Sequence, residues 1–175
     1  MMMLCSKLVS GQSGIYSQQI QTLTGNTVSL NSYAGKKILI AVCSAQSPDL
    51  ARLSSLDSLG KKNTTSLQII VIPVLDMGAA ATSVNLKSIL IDSMHLALVI
   101  AQAADGTKTA GSNQQALMKW LTDKNSNIHF DNDLQNLSQM FVIGENGLLY
   151  AELFGPGDLT NGNLTGVLNS KAPNN

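Results

Sequence analysis

The chain has 175 residues, of which 44% are apolar and 13% charged, and its 11 basic and 11 acidic residues cancel. That length suits one domain with a sizeable buried core. The balanced charge argues against a nucleic-acid-binding surface, and no apolar run reaches the about 20 residues of a membrane-spanning helix. Two cysteines, Cys5 and Cys43, are too few for a disulfide framework or a zinc site, so we expect no metal and no cofactor.

Residues 1–13 resemble the last part of an export signal. They lack the charged start and long apolar stretch of a complete signal peptide but end in small residues before Gly14. A cytoplasmic N-terminus is the alternative, although the surplus of Asn, Ser, Thr and Gln over Lys and Glu favours a periplasmic or secreted protein. We expect a leader-like or disordered segment at 1–13, one domain at 14–170 and a disordered tail at 171–175.

The first half of the chain predicts a β-hairpin followed by two buried strands. Residues 20–23 and 27–30 flank the turn Thr24-Gly25-Asn26, where Gly and Asn tolerate a positive φ. Residues 37–42 and 67–74 are continuous apolar runs, which are typical of strands in the middle of a parallel sheet.

A helix is predicted between these two strands, which completes a βαβ unit. Its leucines recur at helical spacing: Leu50, Leu53, Leu56 and Leu59. Ser47 is the expected N-cap, Pro48 the first helical residue and Gly60 the end of the helix. The crossover from one parallel strand to the next should be right-handed.

The second half adds helices and a closing hairpin. The expected elements are a helix at 84–94 capped by Ser83, a strand at 96–101, a helix at 113–122, a hairpin of strands 139–143 and 148–154, and a helix at about 159–168. Asn146-Gly147 is a strong turn signal for that hairpin. The order of elements predicts a thioredoxin-like α/β fold, with a central mixed sheet, helices on both faces and an N-terminal β-hairpin.

Several short motifs follow one another in a characteristic order. They are Gly25-Asn26-Thr27-Val28-Ser29-Leu30 with Tyr33, Gly35 and Lys36; Ile72-Pro73; Ala116-Leu117-Met118-Lys119-Trp120-Leu121; and Asn136-Leu137-Ser138-Gln139-Met140-Phe141-Val142 running on to Glu145-Asn146-Gly147. Their order across residues 20–168 resembles the glutathione peroxidase family, and the segment around Trp120 is the most specific match. The resemblance implies a thioredoxin-like fold and hydroperoxide reduction by a cysteine or selenocysteine, supported by Gln, Trp and Asn.

The family's site residues are largely replaced in this chain. Within about one residue of alignment, the resemblance places the nucleophile at Gln46, the supporting Gln at Asp76 and the Trp-Asn pair at Gln135 and Asn136. Peroxide reduction needs a thiolate that becomes a sulfenic acid, which an amide cannot do. We therefore predict a catalytically inactive glutathione peroxidase-like protein that serves as a binding or structural module, with an unknown protein or small-molecule ligand.

Cys43 offers an alternative, because it lies three residues before Gln46. The chain would then be a divergent thiol peroxidase with glutathione or thioredoxin as reductant; a packed core thiol is the competing interpretation. Asp76 can bind a ligand at the end of its strand or cap a helix, and His95 and His129 lack a second metal ligand at suitable spacing. A partner-binding domain of an exported assembly is a third possibility.

Overall fold

The computed structural model describes residues 14–78, 85–159 and 161–173. Segment 1–13 and the expected cap Ser83 lie outside these ranges, and the proposed division into leader, domain and tail stays a prediction. The elements in chain order are β1 (Gln19–Gln21), β2 (Thr27–Ser29), β3 (Lys37–Ser44), α1 (Leu50–Lys62), β4 (Leu67–Val74), a π-helix (Lys87–Ser93), β5 (Val99–Ile100), α2 (Ala116–Thr122), α3 (Lys124–Asn127), β6 (Met140–Ile143), β7 (Leu149–Leu153) and α4 (Asn163–Asn169).

The two continuous apolar runs form the centre of a five-stranded sheet in the order β5-β4-β3-β6-β7. β3 and β4 are parallel, in a register that runs from Lys37 opposite Leu67 to Ser44 opposite Val74. β5 continues the parallel part, whereas β6 and β7 are antiparallel to their neighbours. The mixed sheet and the separate β1–β2 hairpin are confirmed, and the hairpin turn uses Gly25 at φ +85°.

Alternate residues of β3 face two apolar layers, one on each side of the sheet. Ile38, Ile40 and Val42 pack in the layer that contains α2 and the N-terminal hairpin. Leu39, Ala41 and Cys43 pack in the layer that contains α1, the π-helix and α4. All eight residues of β3 are buried, as expected for a strand covered by helices on both faces.

The boundaries of α1 differ from the prediction. The N-cap is Asp49, whose carboxylate accepts the N–H of Arg52 at 3.0 Å, and not Ser47. The N–H of Ser47 instead bonds to Ser44 Oγ at 3.0 Å, which keeps it in the preceding loop. Gly60 does not end the helix, which continues to Lys62; the missing side chain at Gly60 lets α1 lie close to β4.

Other predicted elements are shorter or shifted. The expected helix at 84–94 is a π-helix at Lys87–Ser93, and the strand at 96–101 shrinks to Val99–Ile100. The helix at 113–122 starts at Ala116, since Gln115 acts as its cap and accepts the N–H of Met118 at 2.9 Å. The last helix begins at Asn163, after a separate 3₁₀ turn. No helix within the described ranges is long and apolar enough to cross a membrane.

Candidate functional site

Gln46 lies in the loop between β3 and α1, and both ends of its side-chain amide are held. Its Nε2 donates to the carbonyl of Leu75 at 2.9 Å, and its Oε1 accepts from Ser44 Oγ at 3.2 Å. The backbone N–H of Gln46 donates to the same Ser44 hydroxyl. Because Leu75 follows β4, the amide joins the carboxyl ends of two neighbouring parallel strands, where open α/β sheets form their binding crevices.

The carboxylate of Asp76 accepts hydrogen bonds from the loop that follows β5. One carboxylate oxygen accepts the N–H of Gly106 at 2.8 Å, and the other accepts the N–H and the hydroxyl of Thr107 at 2.8 and 2.5 Å. Burial opposes the charge, but these hydrogen bonds outweigh it and hold the pKa of Asp76 below its ordinary value. The carboxylate thus binds the residues just before a 3₁₀ helix at Lys108–Asn113 and anchors that loop.

Both ends of the Asn136 side-chain amide also bond within the protein. Its Nδ2 donates to the carbonyl of Phe154 at 2.8 Å, and its Oδ1 accepts the N–H of Ser138 at 2.8 Å. The neighbouring Gln135 is exposed, and its backbone N–H bonds to the side chain of Gln139. Gln46, Asp76 and Asn136 are therefore structural links between loops in this conformation.

Three of the loops meet beside Gly78. A methyl group built at this glycine would lie 3.5 Å from Leu137 Cδ1 and 3.9 Å from Ser44 Oγ. Gly78 follows Asp76 by two residues, and Leu137 follows Asn136. The structure thus brings the expected positions to one edge of the sheet, although their side chains bond to other partners.

Cys43 is a buried residue of β3, with 2% of its surface exposed. Burial raises the pKa of its thiol to about 12, although the positive charge of Arg52 acts in the opposite direction. A thiol in this state is overwhelmingly protonated near neutral pH and has little contact with solvent.

Arg52 is a functional candidate that the sequence reasoning missed. Its guanidinium, 9% exposed, donates to the carbonyl of Val42 at 2.8 Å and to the carbonyl of Ser138 at 2.9 Å. Burial lowers the pKa of Arg52, while Cys43 and Asp49 raise it. It ties α1 to the end of β3 and to the entry of β6, next to the Cys43 thiol. Its signal in the sequence is that it is the only arginine of the chain, beside the apolar stripe of α1.

Two exposed leucines flank Gln46 at this edge. Leu50, at the start of α1, is 41% exposed, and Leu75, which accepts the Gln46 amide, is 47% exposed. Leu50, Leu75 and Ile128 are the exposed large apolar residues of the described ranges, so two of the three lie on this face. The same ranges contain no cluster of three His, Cys, Asp or Glu side chains that could hold a metal ion.

Comparison with solved structures finds other proteins that share this architecture. Trgpx in its apo form superposes with a TM-score of 0.64 at 14% identity, over 92% of this chain and 99% of that chain. T. cruzi GPX1 gives 0.60 at 17% identity, over 82% and 87%. The protein has a thioredoxin-like fold.

A thioredoxin is also among the solved structures that share this fold. The exposed lipoprotein thioredoxin Etrx1 of Streptococcus pneumoniae matches with a TM-score of 0.54 at 14% identity, over 79% of this chain and 88% of that chain. A comparison with protein-family models finds no match, and neither does a comparison with curated proteins. At these identities the likeness establishes the scaffold that this chain shares with glutathione peroxidase-like proteins and thioredoxins, and function is argued from the site.

Proposed function

We propose that this thioredoxin-like protein is a catalytically inactive member of the glutathione peroxidase-like group that works as a binding or structural module. The observation that carries the proposal is the state of Gln46, whose amide is fastened between Ser44 and Leu75 at the position expected for the nucleophile. An amide has no oxidisable nucleophilic atom, so the peroxidase cycle has no first step there.

The state of Cys43 supports the same proposal. The thiol is 2% exposed and its pKa is about 12, so at pH 7 the thiolate fraction is on the order of one part in 100,000. Attack on a peroxide also needs the oxygen–oxygen bond to reach the sulfur, which lies within the apolar layer that contains α1.

The binding role is supported by the surface around Gln46. Leu50 and Leu75 expose apolar area at the strand ends where this class of sheet forms its clefts. An unknown protein or small-molecule ligand would contact these leucines rather than the carboxylate of Asp76 or the amide of Asn136, because both of those groups already have partners.

The test is a peroxidase assay on the full chain, with hydroperoxide and either glutathione or thioredoxin as reductant. We expect no turnover above buffer. The informative variant is Gln46→Cys in a Cys5→Ser background, which restores a thiol to the loop; we expect peroxide to convert it to a sulfenic acid. Ser54→Cys, at an exposed position of α1, is the matched control and should react no faster than a free cysteine.

The alternative is a divergent thiol peroxidase that uses Cys43. The observation in its favour is the buried Arg52 guanidinium, whose charge stabilises a thiolate at Cys43. That function requires thiol-dependent turnover by the unmodified chain and its loss in Cys43→Ser. Such turnover would overturn the inactive assignment, whereas no turnover together with a reactive Gln46→Cys would support it.

We also propose that the protein is exported. Its composition supports this, and one neighbour in fold is an exposed lipoprotein. Expression of the complete gene product, followed by fractionation into periplasm or medium and cytoplasm, tests the proposal. Recovery in the cytoplasmic fraction alone would contradict it.

A further inference from the structure

A second candidate site lies at the other end of β3 from Gln46. Lys37 begins this strand and is the only charged residue among the sixteen of β3 and β4. Its side chain is 9% exposed and lines a cavity of about 180 Å³, whose apolar walls are Leu59 of α1 and Leu168 of α4. A buried cation needs a partner, because an unpaired charge away from water is costly.

Hydrogen-bonding capacity in this cavity is largely unused. The Lys37 ammonium makes one side-chain hydrogen bond, to Glu145 Oε1 at 2.7 Å, although it carries three donors. Within the described ranges, the exposed side chains of Ser66, Thr165 and Asn169 line the same cavity and make no hydrogen bond to the protein, so they are open to a ligand. The cavity thus offers a cation and several polar groups beside its leucines.

A second groove lies beside this cavity. The groove has a volume of about 330 Å³ and shares Leu59 and Thr165 with the first cavity. Leu159 and Leu164 extend its apolar lining, and Lys62 lies on its rim. The two spaces are thus adjacent, with Lys37 in the first and Leu159 and Leu164 in the second.

The charges around this space favour an anion. Among the described residues, Glu145 is the only carboxylate that lines either cavity, and Lys37, Lys62 and the nearby Lys171 outnumber it. The bond from Lys37 holds the pKa of Glu145 below its usual range against the effect of burial, and Lys171 adds to this lowering. The carboxylate is 46% exposed, so it can turn towards water when another anion takes its place on Lys37.

We infer that this space binds a small aliphatic carboxylate, with its carboxylate on the Lys37 ammonium and its chain along Leu59, Leu168, Leu159 and Leu164. The site is separate from the face that contains Gln46, because Lys37 and Ser44 are at opposite ends of β3. It therefore stands whether or not the proposed loss of peroxidase activity is correct.

The experiment is a calorimetric titration of the full chain with octanoate, with octanol as the uncharged probe. Wild type should bind octanoate more tightly than octanol. Lys37→Met keeps the length of the side chain but removes the charge, and should weaken octanoate binding about tenfold while leaving octanol binding unchanged.

Glu145→Gln gives the opposite expectation and serves as the second variant. It removes the carboxylate that competes for Lys37, so octanoate should bind several-fold more tightly. Glu145→Gln keeps a side-chain oxygen that can accept the Lys37 hydrogen bond, so it tests the inference even if Lys37→Met unfolds the chain, which circular dichroism would reveal. Absence of octanoate binding to wild type, equal binding by Lys37→Met, or weaker binding by Glu145→Gln would each overturn the inference.

Discussion

The reactivity of Cys43 distinguishes a catalytically inactive protein from an enzyme, and it can be measured directly. We expect the native thiol to resist labelling by Ellman's reagent. Unfolding in urea is the perturbation, because it exposes the same thiol. The measurement uses a Cys5→Ser background, so that Cys43 is the thiol observed. The comparison of native and unfolded rates then reports what the fold does to the thiol.

The surroundings of Cys43 determine how strongly the fold slows the labelling of its thiol. Burial raises the pKa of Cys43 from 9.0 to about 12, which lowers the thiolate fraction about a thousandfold below pH 9. At pH 8 the fraction is about one part in ten thousand, against about one in ten for an exposed thiol. Access adds to this protection, because only 2% of the residue is exposed and the reagent must wait for the strand to open.

The native rate should therefore be at least about a thousandfold below the rate in urea, and should rise with pH across the accessible alkaline range. Arg52→Met removes the cation that favours the thiolate, so it should not speed the reaction unless the fold loosens. A native rate within about tenfold of the unfolded rate would refute the reasoning, since it would require an ionised and accessible thiol.

Two further predictions concern side chains that hold loops in place through hydrogen bonds to the backbone. Asp76→Asn should lower the free energy of unfolding by about 1 kcal/mol at pH 7, because an amide nitrogen would replace one of the two oxygens that accept from Gly106 and Thr107. The folded pKa of Asp76 is depressed, so its stabilisation is present above the unfolded pKa of about 3.9 and is lost as pH falls through the lower folded pKa. Asn127→Ala should cost about 3–4 kcal/mol, because this 1% exposed side chain makes five hydrogen bonds to backbone groups.

Urea denaturation monitored by tryptophan fluorescence measures both effects. Asp105→Asn, a neighbouring carboxylate with no side-chain hydrogen bond in the described ranges, controls for the charge change at Asp76. Asn113→Ala, at an exposed position, controls for loss of an amide. A pH-independent difference for Asp76→Asn, or a cost below about 1 kcal/mol for Asn127→Ala, would contradict the assigned hydrogen bonds.

The sequence predicts the sheet well because burial on both faces leaves a simple pattern. The run at 67–74 matches β4 in full, and the run at 37–42 misses only the last two residues of β3, where Cys43 and Ser44 extend the strand. Helix ends are less predictable. Ser47 and Asp49 are both good caps, and which of them is used depends on the Ser44 hydroxyl that holds the loop.

The sequence does not predict the contacts of the candidate site residues. The resemblance places Gln46, Asp76 and Asn136 at one edge of the sheet, yet their hydrogen bonds join segments far apart in sequence, which no local pattern encodes. Lys37 was counted as part of an apolar run, and its ion pair with Glu145 depends on the turn between β6 and β7.

The pairing of β3 with β6 has a consequence for how the chain acquires its structure during synthesis. β3 and β4 are made close together and can associate early, but Ile38 meets Ile143 only when most of the polypeptide has left the ribosome. Until then one hydrogen-bonding edge of a strand that is fully buried in the folded protein is open to other chains. Newly made protein is thus most at risk of aggregation in the interval before its last two strands arrive.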